Sequence, residues 1–126
     1  MDWLTSIRKS IDFMEKHLEE NISAQDVADE VFMSSFFLQR GFSLMTGYGI
    51  AEYIRNRRLY RAALDLQKKD DKIIDIALRY CYETPESFTK AFTRFHGSTP
   101  SQVRNGGTVK IFLPLTIQIN IQGGNL

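Results

Sequence analysis

The chain has 126 residues, 43% of them hydrophobic, and a formal net charge of +1, which fits one ordinary globular domain or two very small lobes. Its single cysteine, Cys81, excludes an intramolecular disulfide, and its N-terminus lacks the apolar core of a secretory signal. No run approaches the roughly 18 apolar residues that a membrane span needs, so we expect a cytoplasmic protein without a membrane partner.

Charge is distributed in blocks along the chain. Residues 1–32 carry a net charge of −5, residues 33–61 carry +4, residues 62–86 carry −2 and residues 87–110 carry +4. A polyanionic partner responds to such blocks more than to the total charge.

Helical spacing of apolar residues predicts helix after helix up to about residue 104. The first helix carries one apolar stripe: Leu4, Ile7, Ile11, Met14 and Leu18. Ser23 is the expected N-cap of the second helix, with Asp26 completing a capping-box pattern. A turn at residues 32–34 then leads into the stretch "SSFFLQRGFSLMTG", where Leu38, Phe42 and Met45 lie on one helical face.

Glycines mark the end of this third helix, and a long helix follows over about residues 50–67. Shorter helices are predicted in "KIIDIALRY", in "PESFTKAFTRF" with proline at its first position, and in "STPSQVR".

The pattern changes after "NGG". Apolar residues from Val109 to Ile121 alternate with polar ones, which is typical of a strand, although Pro114 confines it to an edge. A single strand is unstable alone, so three interpretations stay open: the first strand of a further domain, a homodimer paired through residues 109–122, or a disordered tail.

One unit occurs twice in the chain. Val27-Ala28 matches Ile76-Ala77 at an offset of 49, and Phe42 and Gly47 match Phe92 and Gly97 at an offset of 50, with the insertion falling in the turn. Each copy reads as short helix, tight turn, second helix and glycine stop, the form of a helix-turn-helix. We therefore predict an all-α fold of two helix-turn-helix subdomains joined by a long linker helix and followed by a strand tail, divided at 1–48, 49–68, 69–106 and 107–126.

The exposed face of each second helix carries hydrogen-bonding groups and a cation. Such helices fit the major groove of B-DNA, with N-terminal side chains at base edges and flanking groups on phosphates. The predicted base-reading residues are Ser35, Phe36, Gln39, Arg40, Glu86, Thr89 and Lys90. The predicted phosphate contacts are Ser34, Ser43, Arg57, Arg58, Thr84, Thr93 and Arg94.

The predicted linker helix is about 27 Å long at 1.5 Å per residue. One turn of DNA is about 34 Å. A rigid connector of this length would hold helices near residues 35–45 and 85–95 in adjacent major-groove segments of double-stranded DNA.

Three segments together resemble the AraC/XylS-type DNA-binding domain: "ISAQDVADEVFMSSFFLQRGF", "IAEYIRNRRLYRAALDL" and "IIDIALRYCYETPESFTKAFTRFHGSTPSQVR". The resemblance covers residues 5 to 105 and implies a seven-helix bacterial transcription regulator that works with RNA polymerase. It also implies that Ser35, Phe36, Gln39 and Arg40 read bases, with Pro85 and the other predicted second-helix residues as a second reader. The tail resembles the bridge into a GyrI-like effector-binding domain.

Departures from this family pattern mark specific positions. Gly41 replaces a larger apolar residue inside the first recognition helix, at a cost of about 1 kcal/mol against alanine. Cys81 stands where the second turn often has glycine and stores strain if a positive φ is required. Pro85 and Glu86 suggest a weaker second reader, and Val103 replaces a common tyrosine.

Other interpretations compete with DNA binding. The chain could be a helical protein-interaction module that has lost DNA reading, Phe36 could be a packing residue, and the linker arginines could form salt bridges within the protein. Catalysis has little support, since His17, His96 and Cys81 show no motif of a metal site or a nucleophile. We therefore expect neither an enzyme nor a bound cofactor or metal.

Overall fold

The computed structural model describes residues 2–68, 70–117 and 123. Within these residues the backbone forms seven helices and no strand, so the all-α prediction is confirmed for this part of the chain. The helices are α1 (Trp3–Lys16), α2 (Ala24–Glu30), α3 (Ser35–Thr46), α4 (Ile50–Gln67), α5 (Ile73–Arg79), α6 (Pro85–His96) and α7 (Pro100–Arg104). None is long and apolar enough to cross a membrane.

Side chains at the helix starts satisfy the free backbone N–H groups there. The Asp2 carboxylate accepts from the Thr5 N–H at 2.8 Å, and this hydrogen bond lowers the pKa of Asp2. The predicted capping box of α2 is confirmed: Ser23 N–H donates to Asp26 Oδ2 at 2.8 Å, and Asp26 N–H donates to Ser23 Oγ at 3.2 Å.

The two turns repeat each other down to a left-handed residue. Phe32 has φ of 56° and Cys81 has φ of 70°, and the two occupy equivalent places between α2 and α3 and between α5 and α6. In both turns the next residue's N–H reaches back 3.0 Å to an alanine carbonyl, that of Ala28 or Ala77. Both turns therefore use a conformation that favours glycine, with a bulkier residue in place.

The second helices of both units also end alike. Gly47 and Gly97 cap α3 and α6 with φ of 79° and 76°. Their N–H groups donate to carbonyls four residues back, at 2.9 and 2.8 Å. A left-handed glycine at this position ends a helix without a Cβ penalty.

Two hydrophobic clusters form, and α4 contributes to both. The first cluster lies among α1, α2, α3 and the start of α4, and contains Ile7, Ile11, Met14, Leu18, Val27, Ala28, Val31, Leu38, Phe42, Ile50, Tyr53 and Ile54. The second lies among the rest of α4 and α5 to α7, and contains Leu59, Ala62, Ala63, Leu66, Ile76, Ala77, Tyr80, Phe88, Phe92 and Val103.

The indole of Trp3 lies against the backbone of Gly41 in α3. A Cβ atom at position 41 would lie 2.2 Å from two ring carbons of Trp3. The indole Nε1–H donates to the Met45 sulfur at 2.7 Å, which holds the ring over the helix. The glycine that departs from the family pattern is thus explained, since Trp3 occupies the space that a larger residue would fill.

The predicted strand from Val109 does not form over residues 109–117, and the later part of it, with Ile119 and Ile121, lies outside the described residues. A strand needs another backbone edge, and here side chains take that place. His96 Nδ1 accepts from the Lys110 N–H at 3.0 Å, and the Leu115 N–H donates to Tyr53 Oη at 2.9 Å.

The alternating apolar residues of this tail, residues 107–117, pack on both clusters. Val109 contacts the second cluster, and Phe112, Leu115 and Ile117 contact the first. The Phe112 ring meets Phe95 of α6 edge-on at a centroid distance of 6.1 Å. The tail thus joins both halves of the fold.

Candidate nucleic-acid interface

The start of α3 is fixed by its cap and its core contacts. Ser34 Oγ accepts from the Phe37 N–H at 3.1 Å, while Leu38 and Phe42 are fully buried. The helical period then places the opposite side chains in solvent. The exposed predicted residues on this side are Ser34, Phe36, Gln39, Arg40 and Ser43, with Ser35 half-buried.

Side-chain contacts order this exposed face. The Arg40 guanidinium lies over the Phe36 ring, 6.0 Å from its centroid, a cation–π arrangement. Gln39 Nε2 donates to Ser35 Oγ at 2.9 Å. Arg40 forms no ion pair with the residues that the structure describes, so its N–H donors are available to an external acceptor.

The second unit presents a shorter set of exposed groups. Thr84 Oγ1 caps α6 by accepting from the Ser87 N–H at 3.1 Å. Glu86, Lys90 and Arg94 are exposed, and Pro85 and Thr89 are half-buried.

Thr93 does not fit the predicted set of phosphate contacts. Its Oγ1 is buried and has no hydrogen-bond partner in the part of the chain that the structure describes. A hydroxyl in this position faces protein and not a phosphate.

Arg57 is a second correction, because its side chain is buried in an ion pair. Its Nε and Nη2 atoms donate to the two carboxylate oxygens of Glu15 at 2.9 and 2.6 Å, and its Nη1 donates to the Phe112 carbonyl. The bidentate pair joins α1 to α4, and the Nη1 hydrogen bond joins the tail to α4. The competing interpretation of a salt-bridged linker arginine therefore holds at this position.

Arg58 is half-buried and also engaged. Its Nε donates to the Leu18 carbonyl at 2.8 Å, and its Nη2 donates to the Glu20 carbonyl at 2.6 Å. These are carbonyls just after α1, where a cation stabilises the negative end of the helix. Arg58 thus anchors α4 to the segment that follows α1, and this leaves it out of the set that can contact a phosphate freely.

A network beneath the second unit sets the position of α5. The Arg79 guanidinium donates to Asp65 and Asp71, both at 2.8 Å, and these carboxylates raise the pKa of Arg79. Tyr80 Oη donates to Asp65 at 2.7 Å, and burial together with that carboxylate raises the pKa of the phenol. The network ties α5 to α4 and so orients the turn before α6.

Sequence reasoning missed an exposed apolar flank beside the α3 face. Phe32, Phe37 and Leu44 are 88%, 69% and 80% exposed. The adjacent pair Phe36-Phe37 was the available signal for this flank. Consecutive residues of a helix point about 100° apart, so the two rings cannot occupy the same face.

The chain matches known helix-turn-helix proteins in both sequence and fold. A family model described as a helix-turn-helix domain matches residues 27–106, more than half of the chain. A crystal structure from Chromobacterium violaceum, of a transcriptional regulator with an AraC-type DNA-binding domain, superposes with a TM-score of 0.76 at 27% identity, covering 80% of this chain and 90% of that one. The chain belongs to the AraC/XylS family.

Two curated relatives in this AraC/XylS family extend the comparison. The uncharacterized HTH-type transcriptional regulator YbfP of Bacillus subtilis is 39% identical over 99 residues, which cover 79% of this chain and 34% of YbfP. The right origin-binding protein of Escherichia coli K12 is 38% identical over 104 residues, which cover 82% of this chain and 36% of that protein. The chain spans little more than a third of the length of these AraC/XylS relatives.

Proposed function

We propose that this chain is the part of a bacterial transcriptional regulator that binds double-stranded DNA in a sequence-specific manner. Arg40 carries the proposal: it is exposed on the outer face of a helix-turn-helix second helix and forms no ion pair with the described residues. Membership of a family of transcriptional regulators supports it, and we place its action in the cytoplasm.

In this proposal α3 is the main reader of bases. Arg40 offers two donors to a guanine edge, Gln39 offers an amide to adenine, and Phe36 offers an apolar surface to a thymine methyl. Ser35 belongs with these base readers, whereas Ser34 and Ser43 contact phosphates. Each good bidentate pair discriminates by about 1–3 kcal/mol.

The second helix, α6, enters an adjacent groove segment in the same proposal. Lys90, Thr89 and Glu86 face bases, while Thr84 and Arg94 face phosphates. The 18 residues of α4 span about 27 Å, and packing of both hydrophobic clusters on this helix supports its role as the linker and the division into two lobes.

The test begins with selection of binding duplexes from a random pool, followed by anisotropy titration at several salt concentrations. Arg40→Ala is expected to lose about 1–3 kcal/mol on the selected duplex and little on a scrambled one. Arg94→Ala is the matched control. It should weaken binding to both duplexes alike and reduce the slope of log K against log salt concentration by about 1. An equal loss on both duplexes for Arg40→Ala would remove it as a base reader.

The exposed flank of Phe32, Phe37 and Leu44 favours a second candidate, a protein-interaction module. Binding to duplexes that is weak, insensitive to their sequence and erased by salt would favour this candidate.

RNA polymerase is the partner that the family relation suggests. A homodimer through residues 109–122 remains a second proposal. Residues 109–117 would have to break their hydrogen bonds within the chain to form it. Dimerisation should therefore be slow, and the molar mass measured in solution should rise with protein concentration.

A further inference from the structure

A cleft of about 350 Å³ lies between α4, α6 and the tail. Its volume is in the lower part of the range of small-molecule pockets, about 300–1,000 Å³. It lies beside the proposed DNA-reading face of α6 and includes only Arg94 from the proposed contacts. The lining residues are Glu52, Arg55, Asn56, Leu59, Ala91, Arg94, Phe95 and Lys110.

The rim of the cleft is cationic. Arg55, Arg94 and Lys110 are exposed, and none forms an ion pair with the residues that the structure describes. The acid on the rim, Glu52, accepts from the Gly49 N–H at 3.3 Å at the start of its own helix. Three cations against one carboxylate favour an anionic occupant.

The inner wall of the cleft is different in character. Leu59 is 1% exposed, and Ala91 and Phe95 are partly buried. The Lys110 ammonium lies 4.9 Å from the centroid of the Phe95 ring, which places its charge at the edge of this apolar surface. Inorganic phosphate has no apolar surface to pack against this wall, whereas the hydrocarbon part of an organic ligand does.

Asn56 adds a neutral polar group to the cleft. The residue is only 9% exposed and lines the cleft, and its side-chain amide forms no hydrogen bond with the described residues. An amide can both donate to and accept from a bound molecule. Asn56 therefore suits a polar atom of a ligand in the cleft.

We propose that this cleft binds a small organic carboxylate. The carboxylate lies among Arg55, Arg94 and Lys110, the apolar body rests on Leu59, Ala91 and Phe95, and Asn56 hydrogen-bonds a polar atom. The site goes beyond DNA binding, since it is formed by the protein alone. Its occupant would connect α4, α6 and the tail, the elements that set the spacing of the two lobes.

The test is a two-dimensional NMR titration of the free protein with 3-phenylpropanoate as the probe. Saturable shifts are expected at the amides of Asn56 and Ala91. The neutral amide analogue and inorganic phosphate should produce no comparable shifts. The double variant Arg94→Gln/Lys110→Gln should bind the probe about tenfold more weakly. The control Lys9→Gln/Lys16→Gln also removes two positive charges, from exposed positions of α1, and should bind the probe unchanged.

A second variant tests the apolar wall without touching charge. Ala91→Leu fills the cleft at a position where leucine suits a helix, and it should abolish the shifts. Equal binding by phosphate would reduce the cleft to a simple anion site and overturn the proposal. Wild-type binding by Ala91→Leu, or no saturable shift with the wild-type protein, would overturn it as well. DNA affinity is measured separately, so neither result depends on the proposed function.

Discussion

Replacing Gly41 with alanine should destabilise this protein although alanine is the better helix former. Alanine is favoured over glycine in a helix interior by about 1 kcal/mol. The new Cβ would lie 2.2 Å from two Trp3 ring carbons, so the ring must move and give up its contacts. Forced repacking of this kind costs about 1–3 kcal/mol, and loss of the Trp3–Met45 hydrogen bond adds to it. We expect a net loss of about 1–2 kcal/mol, the balance of these two effects.

The sign should reverse when Trp3 is removed first. In a Trp3→Ala background, the same Gly41→Ala change meets no ring and should stabilise by about 1 kcal/mol. The coupling energy between the two sites is then about 2–3 kcal/mol. Urea unfolding of the four proteins followed by circular dichroism measures it. Ser43→Ala, an exposed change in the same helix, is the control and should have one effect in both backgrounds. If Gly41→Ala stabilises both proteins equally, the indole does not occupy that space and the reasoning fails.

Three more changes test other features. Phe32→Gly should stabilise by about 0.5–1 kcal/mol, because relief of about 1–2 kcal/mol of left-handed strain outweighs the chain entropy of glycine; urea unfolding should show no such gain for Phe32→Ala, which keeps the Cβ. Arg57→Met should cost about 2–3 kcal/mol in thermal unfolding, less than for a fully buried pair because Glu15 can hydrate; no loss would mean that the ion pair contributes nothing. Burial lowers the pKa of His96, so as the pH falls the unfolded chain binds a proton before the folded protein does. The free energy of unfolding should therefore decrease as the pH drops below about 6.5. Denaturation between pH 7 and 5 should show this slope in the wild-type protein and a shallower one in His96→Gln, and equal slopes would contradict it.

Local signals in the sequence were sufficient for the helices and their ends. The Ser23 capping box, the proline at the start of α6 and the terminal glycines each act within a few residues. The internal repeat indicated which residues of the two helix-turn-helix units correspond to each other. It also explains Cys81, since the hypothesis of a positive φ is confirmed and Phe32 shares the conformation.

Features that depend on distant residues were beyond these signals. The spacing of arginines along α4 did not indicate that Arg57 faces Glu15, 42 residues away in sequence. The alternation after Val109 is that of a strand, yet the partners of the tail backbone are the side chains of His96 and Tyr53. The proposed DNA-contacting residues remain predictions, since their roles depend on a partner.

The sharing of α4 by both hydrophobic clusters has a consequence for cooperativity. Even a helix of 18 residues in a protein takes most of its stability from tertiary packing. Loss of order in one lobe uncovers half of α4, and fraying then reaches the residues on which the other lobe packs. The two lobes should therefore melt in one transition. For the same reason, a DNA half-site that holds one lobe would slow the opening of the other and make the second contact easier to keep.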